Sequence, residues 1–261
     1  MPVRTPAETF SVASDAGMAK ATRSTRQLIA GSALAGAYIA LGGALSIIIG
    51  YGFPGVTAEN PGLQRLLSGL VFPVGLMLVV VLGADLFTGN NALLVPPLLQ
   101  HRLKVSRVIG NWSLVWLGNF AGALAVAYFL VYLTGLTASE PYAAAVQGIA
   151  EAKTSAPWWV VILKGIGANW CVCLAVWLAL SGRRLGEKLL ACEIPVMAFV
   201  ALGYEHCVAN MFFLPLGIMQ GAPVGIVDML TANILPATIG NIIGGALFVG
   251  TASWYLYGRR V

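Results

Sequence analysis

Asp85, Glu205 and His206 are ionisable side chains that stand inside long apolar stretches. A charge at bilayer depth costs roughly 3 kcal/mol or more unless it is paired or hydrated, so such groups need an occupation. For the two carboxylates the expected one is hydrogen bonding to backbone N–H groups freed where a helix is interrupted, an internal form of capping that builds a site without touching a solute. His206 differs, because imidazole titrates near neutral pH and can give either a hydrogen bond or a proton. Its position beside an interruption makes it the residue expected to face a conduit. Thr88 lies three residues after Asp85. Its hydroxyl either holds a histidine tautomer or a solute oxygen, or bonds its own helix backbone as lone membrane threonines do.

Lys153 precedes one apolar run and Lys164 lies within it. Lys153 either draws anions to a mouth through a field focused by low-dielectric walls or snorkels to the interface, which is the expectation for Lys164. Phe72, Leu76, Phe87 and Phe199 flank the interruptions. They either narrow a conduit or belong to core and lipid-facing surface. Cys171, Cys173, Cys192 and Cys207 form no Cys-x-x-Cys pair and read as buried thiols. The chain carries no phosphate-binding Gly-rich loop, metal-spaced His/Cys set or nucleophile elbow. No enzyme activity, metal or cofactor is expected.

The elements that position these residues follow from composition. Of 261 residues 58% are hydrophobic and 10% charged, with a mean hydropathy of +0.83; an ordinary soluble domain carries about 25% charged residues. The net charge of +5 is spread over short connections between apolar runs, which excludes a nucleic-acid-binding face. One crossing needs about 20 apolar residues. Six stretches qualify: Leu28 to Tyr51, Leu66 to Leu99, Val108 to Leu133, Trp158 to Leu180, Leu189 to Leu216 and Thr231 to Tyr257. The second and fifth are over-long and are interrupted at Asp85 to Asn91 and Glu205 to Asn210, so they read as broken helices. Residues 1–27 form a polar N-terminal segment without a cleavable signal, 28–257 one pore domain, and 258–261 a tail. Twelve of the 15 Lys and Arg residues fall on one side of this topology, which puts both termini in the cytoplasm.

The chain also repeats itself. Gly83-Ala84-Asp85-Leu86-Phe87-Thr88-Gly89-Asn90 aligns with Gly203-Tyr204-Glu205-His206-Cys207-Val208-Ala209-Asn210, and Asn111, Gly118, Asn119 and Gly122 align with Asn233, Gly240, Asn241 and Gly244. Each half, about 28–135 and 157–257, holds three spans, and an odd number inverts the second half. The expected fold is therefore an all-α integral membrane protein of six transmembrane helices in two inverted three-helix repeats, with a site where the broken helices meet near the midplane. Gly118-x-x-x-Gly122 and Gly240-x-x-x-Gly244 are expected to let helices approach closely.

These blocks, together with Asn169-Trp170-Cys171-Val172-Cys173-Leu174-Ala175-Val176-Trp177, resemble the signatures of the formate/nitrite transporter family over nearly the whole chain. The resemblance implies aquaporin-like protomers in a homopentamer within a bacterial-type cytoplasmic (inner) membrane, each conducting small monovalent anions such as formate, nitrite or hydrosulfide. It makes His206 the central pore histidine, Thr88 its partner, Asn169 a pore asparagine and Lys153 an outer lysine. It assigns Asp85, Glu205, Asn90 and Asn210 to the support of the helix breaks, and Phe72, Leu76, Leu86, Phe87 and Phe199 to hydrophobic slits. Cys207 departs from the pattern, standing where relatives usually have Ser, and Asp85 stands where many have Glu. The expected partners are these anions, protons, lipid and further copies of the chain. Two rival readings are a neutral-solute channel for water, glycerol or ammonia, which lacks its paired Asn-Pro-Ala turns here, and a membrane-bound sensor or scaffold using the polar N-terminal segment.

Overall fold

A computed structural model describes residues 3–258; Arg259, Arg260 and Val261 lie outside the described residues. The described residues contain helices and connections and no strand. We label the helices α1 (Pro6–Ala21), α2 (Thr25–Tyr51), α3 (Pro61–Leu82), α4 (Phe87–Leu93), α5 (Val105–Tyr132), α6 (Tyr142–Thr154), α7 (Trp158–Ser181), α8 (Leu185–Ala201), α9 (Cys207–Met219) and α10 (Ile226–Gly258). Helices α2, α3, α5, α7 and α10 are long and apolar enough to cross a membrane by themselves. The remaining crossing is shared by α8 and α9, of 17 and 13 residues, neither of which spans alone.

Both interruptions have the same cause. Gly83 ends α3 with φ +72° and Gly203 follows α8 with φ +70°, a left-handed conformation that costs glycine nothing and stops an α-helix. Four residues on, the chain restarts as a helix in each half, at Phe87 and at Cys207.

The two halves run in the same order, and each starts one helix earlier than the apolar stretches suggest. Helix α1 precedes α2 as α6 precedes α7, so the repeat covers α1 to α5 and α6 to α10. The reason is polar: Lys20 at the end of α1 reaches the acid of the first break and Lys153 at the end of α6 reaches the acid of the second. Helix α1 is defined at its start by a capping box between Thr5 and Glu8, and α2 by one between Ser24 and Gln27.

Within each half the first and last spans pack through the repeated glycines. A Cβ at Gly122 of α5 would overlap the Ala33 carbonyl of α2, and one at Gly244 of α10 would overlap the Ile166 carbonyl of α7. The outer faces carry exposed Leu117, Leu163, Leu190 and Phe248; an apolar exterior suits a lipid surround. The termini share a face: the Arg4 amide donates to the Ser181 carbonyl at 2.9 Å, and Gly258 lies against Phe10. Below this is the terminal face, and the opposite one, carrying α6, the far face.

Candidate functional site

Breaking a helix inside an apolar medium frees backbone donors and acceptors that must be satisfied. The carboxylates do not do this, contrary to the expectation from sequence. Two buried asparagines from the following spans do. Asn119 Oδ1 accepts from the Phe87 N–H at 2.8 Å, while its Nδ2 donates to the carbonyls of Asp85 at 2.9 Å and Ser32 at 2.8 Å. Asn241 repeats the pattern with the Cys207 N–H at 2.9 Å and the carbonyls of Glu205 at 2.9 Å and Gly165 at 2.8 Å. An amide carries both donors and acceptors, so one side chain ties off both sides of a break, which a carboxylate cannot.

The carboxylates are instead paired with cations. Asp85, fully buried, accepts from Lys20 at 2.9 Å and from Arg23. Glu205 accepts from Lys153 at 2.9 Å, Asn210 at 2.7 Å and Asn233 at 3.2 Å. Asn90 and Asn210 each bond the asparagine of the next span, Asn111 and Asn233, and those two donate to the carbonyls of Lys20 and Lys153. Each acid thereby links a break to its flanking helix α1 or α6.

The restarting helices α4 and α9 meet end to end. There, Thr88 Oγ1 and His206 Nε2 are 3.1 Å apart, with Thr88 fully buried and His206 2% exposed. His206 is also the N-cap of α9, its Nδ1 accepting the Ala209 N–H at 3.0 Å. A backbone N–H can only donate, so the neutral ring carries its proton on Nε2 and gives it to Thr88. The Thr88 hydroxyl hydrogen is left free to donate onward.

A cavity lies on each side of this pair. That of the far face, about 210 Å³, is walled by Lys153, His206, Asn210, Phe72 and Phe199. Phe72 meets Phe199 edge-on at 5.9 Å, and Phe199 stacks on the His206 ring at 5.8 Å, so aromatic rings close the passage directly above the histidine. The cavity of the terminal face, about 180 Å³, is walled by Lys20, Leu76, Leu86, Gly89 and Asn90. Leu76 and Leu86, each 2% exposed, close it toward the centre.

Two expected wall residues stand elsewhere. Phe87 lines an apolar groove of about 610 Å³ between α5 and α10, away from both cavities. Asn169 borders neither cavity; its Nδ2 donates to the carbonyls of Thr88 at 3.1 Å and Asn241 at 2.6 Å and to Asn91 Oδ1 at 3.3 Å, bracing the junction from behind. The carbonyl of Lys164 accepts from the Glu205 N–H at 3.3 Å, as that of Gly31 accepts from Asp85 at 3.1 Å. Sequence reasoning missed Lys20 and Arg23, counted only as positive charge of a connection, and gave no role to Asn119 and Asn241. Their recurrence at one spacing was the available signal for the asparagines.

Two cavities with a lysine each, converging through apolar closures on a buried Thr–His pair between inverted broken helices, define a membrane channel or transporter of aquaporin-like architecture. A family model described as formate/nitrite transporter matches residues 7–255. A probable formate transporter of Methanothermobacter thermautotrophicus is 39% identical over 97% of this chain and 97% of its own. Among solved structures, an FNT family ion channel superposes with a TM-score of 0.84 at 31% identity, covering 95% of this chain and 98% of its own. A pentameric formate channel with formate bound gives 0.77 at 28% identity, covering 89% and 97%. The chain belongs to the formate/nitrite transporter family, whose members move solutes and are not enzymes.

Proposed function

We propose that the protein conducts formate, or a similarly small monovalent weak-acid anion such as nitrite or hydrosulfide, across a bacterial-type inner membrane with the help of a proton. The observation that carries this reading is the Thr88–His206 pair, held where the two lysine-bearing cavities approach each other. Relatives named as formate transporters and channels support the choice of solute. The terminal face, which carries the described residues of the N-terminal segment and Gly258, is cytoplasmic, and the protein assembles as a homopentamer, as the pentameric formate channel does, with a pore in each of its own protomers.

Lys153 and Lys20 attract the anion to either mouth, with positive helix ends at the breaks assisting. The aromatic closure of Phe72 and Phe199 and the aliphatic closure of Leu76 and Leu86 exclude hydrated charge. Desolvation raises the pKa of the solute's conjugate acid, because low dielectric disfavours the charged form, so the solute takes up a proton as it enters. His206, directly or through water, donates or relays it from Nε2, with the Thr88 hydroxyl as the adjoining donor. The neutral acid then passes the closures. Handing on the Nε2 proton requires the ring to take one up at Nδ1 in the same event, which displaces the Ala209 N–H from its cap, so one proton enters at Nδ1 as one leaves at Nε2 and the ring ends neutral.

Uptake of formate and of nitrite into proteoliposomes between pH 5 and 8 tests this. Wild type takes up at least one anion with a rate that rises as pH falls. His206→Phe loses at least about tenfold of that rate, equivalent to about 1.4 kcal/mol on the barrier. An unchanged rate and pH profile in the variant would sink the role of the histidine.

A further inference from the structure

The far cavity contains a second cation that the pathway above leaves unused. Lys153 is engaged by Glu205 at 2.9 Å, with the side chains 18% and 7% exposed, so the pair presents a dipole to an arriving anion more than a full charge. Arg65 lines the same cavity, and among the described residues no carboxylate lies within ion-pair distance of its guanidinium. Beside it stand Tyr51, at the end of α2, and a polar wall. Gln64 Nε2 donates to Ser68 Oγ at 3.0 Å, and Ser68 donates to the Ser46 carbonyl at 3.1 Å. Arg65, Ser68 and Phe72 follow one another at intervals of three and four residues, so they share one face of α3. At 1.5 Å per residue that face carries a solute about 10 Å, from a charged donor past a hydroxyl to the aromatic closure.

We propose that Arg65, with Tyr51 beside it, forms the entry subsite of the far cavity and selects planar anions with two oxygens. A guanidinium offers paired N–H groups matched to two coplanar oxygens, which an ammonium does not, and the tyrosine hydroxyl adds one donor. Formate and nitrite have that shape; hydrosulfide is a single heavy atom and gains only the charge. The subsite rests on the reading of the protein as an anion conductor and adds a cause for discrimination among its solutes.

The test is initial uptake against concentration for formate, nitrite and hydrosulfide in proteoliposomes of wild type, Arg65→Gln, Arg65→Lys and Tyr51→Phe, with each variant's elution profile checked against wild type. Arg65→Gln is expected to raise the half-saturation concentration for formate and nitrite about fivefold, with a smaller change in maximal rate, and that for hydrosulfide about twofold, the loss of an exposed, screened charge. Arg65→Lys is expected to restore hydrosulfide and leave formate and nitrite impaired. Tyr51→Phe is expected to weaken formate and nitrite about twofold. Unchanged half-saturation in Arg65→Gln, or full restoration of all three solutes by lysine, overturns the subsite while conduction stands. Wild-type vesicles that take up none of the three overturn the conduction reading and the subsite with it.

Discussion

At the scale of single residues, the site is governed by how each charge is neutralised. Glu205 is 5% exposed and relies on Lys153, Asn210 and Asn233. Replacing Lys153 with Met leaves the carboxylate its two amides and no counter-charge, a change that costs about 3 kcal/mol when one partner of a buried pair is removed. Thermal unfolding in detergent is expected to show that loss, and the double variant Lys153→Met/Glu205→Gln to recover most of it. Charge reversal, Lys153→Glu, places two carboxylates together at the mouth, so the half-saturation concentration for formate uptake rises. Equal affinity before and after reversal would assign Lys153 to structure alone. The neighbouring thiols have a narrower part: Cys173, fully buried, donates to the Thr88 carbonyl at 3.3 Å and adds support to the junction without exposure to solvent.

At the scale of elements, the decisive parts are the two breaks and the spans that tie them. Asn119 and Asn241 satisfy equivalent backbone groups in opposite halves. Replacing Asn119 with Ala strands the Phe87 N–H and the Asp85 carbonyl in a dry interior, and each unsatisfied buried group costs about 1 to 3 kcal/mol. The same change at Asn241 strands the Cys207 N–H and displaces the start of α9, which carries His206. Both variants are expected to unfold at lower temperature. Asn241→Ala is expected also to lose more uptake per folded molecule than Asn119→Ala, because it loosens the helix capped by the histidine. Equal uptake per folded molecule would show that the histidine is held by its own cap and by Thr88 alone.

At the scale of the whole molecule, inversion explains why one chain has two similar mouths. Lys20 with Asp85 and Lys153 with Glu205 are related by the repeat, yet Arg23 gives Asp85 a second paired cation that Glu205 lacks. The centre is asymmetric as well, since position 88 supplies a threonine where the second half supplies Val208, and position 206 a histidine where the first half supplies Leu86. On the proposed reading a single imidazole then serves solutes from both sides. The groove between α5 and α10, walled by Trp112, Trp116 and Ile234 among others, is an apolar surface of the protomer. Native mass spectrometry of the detergent-solubilised protein is expected to give five chains per particle. A monomer as the dominant species would refute the pentamer and leave the protomer's own pore unaffected.

Much of this was legible from residue order because a membrane enforces simple rules. Six apolar lengths, two polar interruptions with Gly83 and Gly203, and a doubled motif follow from crossing distance and backbone satisfaction, and the inversion follows from an odd number of spans. His206 could be chosen from its depth beside a break, whereas Thr88 was picked as its partner only by the motif it shares with the formate/nitrite transporter family. Which side chain meets which freed backbone group could not, since the partners are separated by more than thirty residues along the chain and by a turn across the membrane. The expectation that Asp85 and Glu205 would cap the breaks failed for that reason: only the packed spans bring Asn119 and Asn241 to the breaks and swing Lys20, Arg23 and Lys153 onto the acids. Similarly, Phe87 and Asn169 sit beside the junction in sequence logic but turn away from both cavities, because side-chain direction, on the short restarting α4 as on the long α7, is set by the neighbours it packs against. Local sequence thus determined the spans, the breaks and the inverted repeat, while tertiary packing decided how the charges were paired and which walls faced the passage.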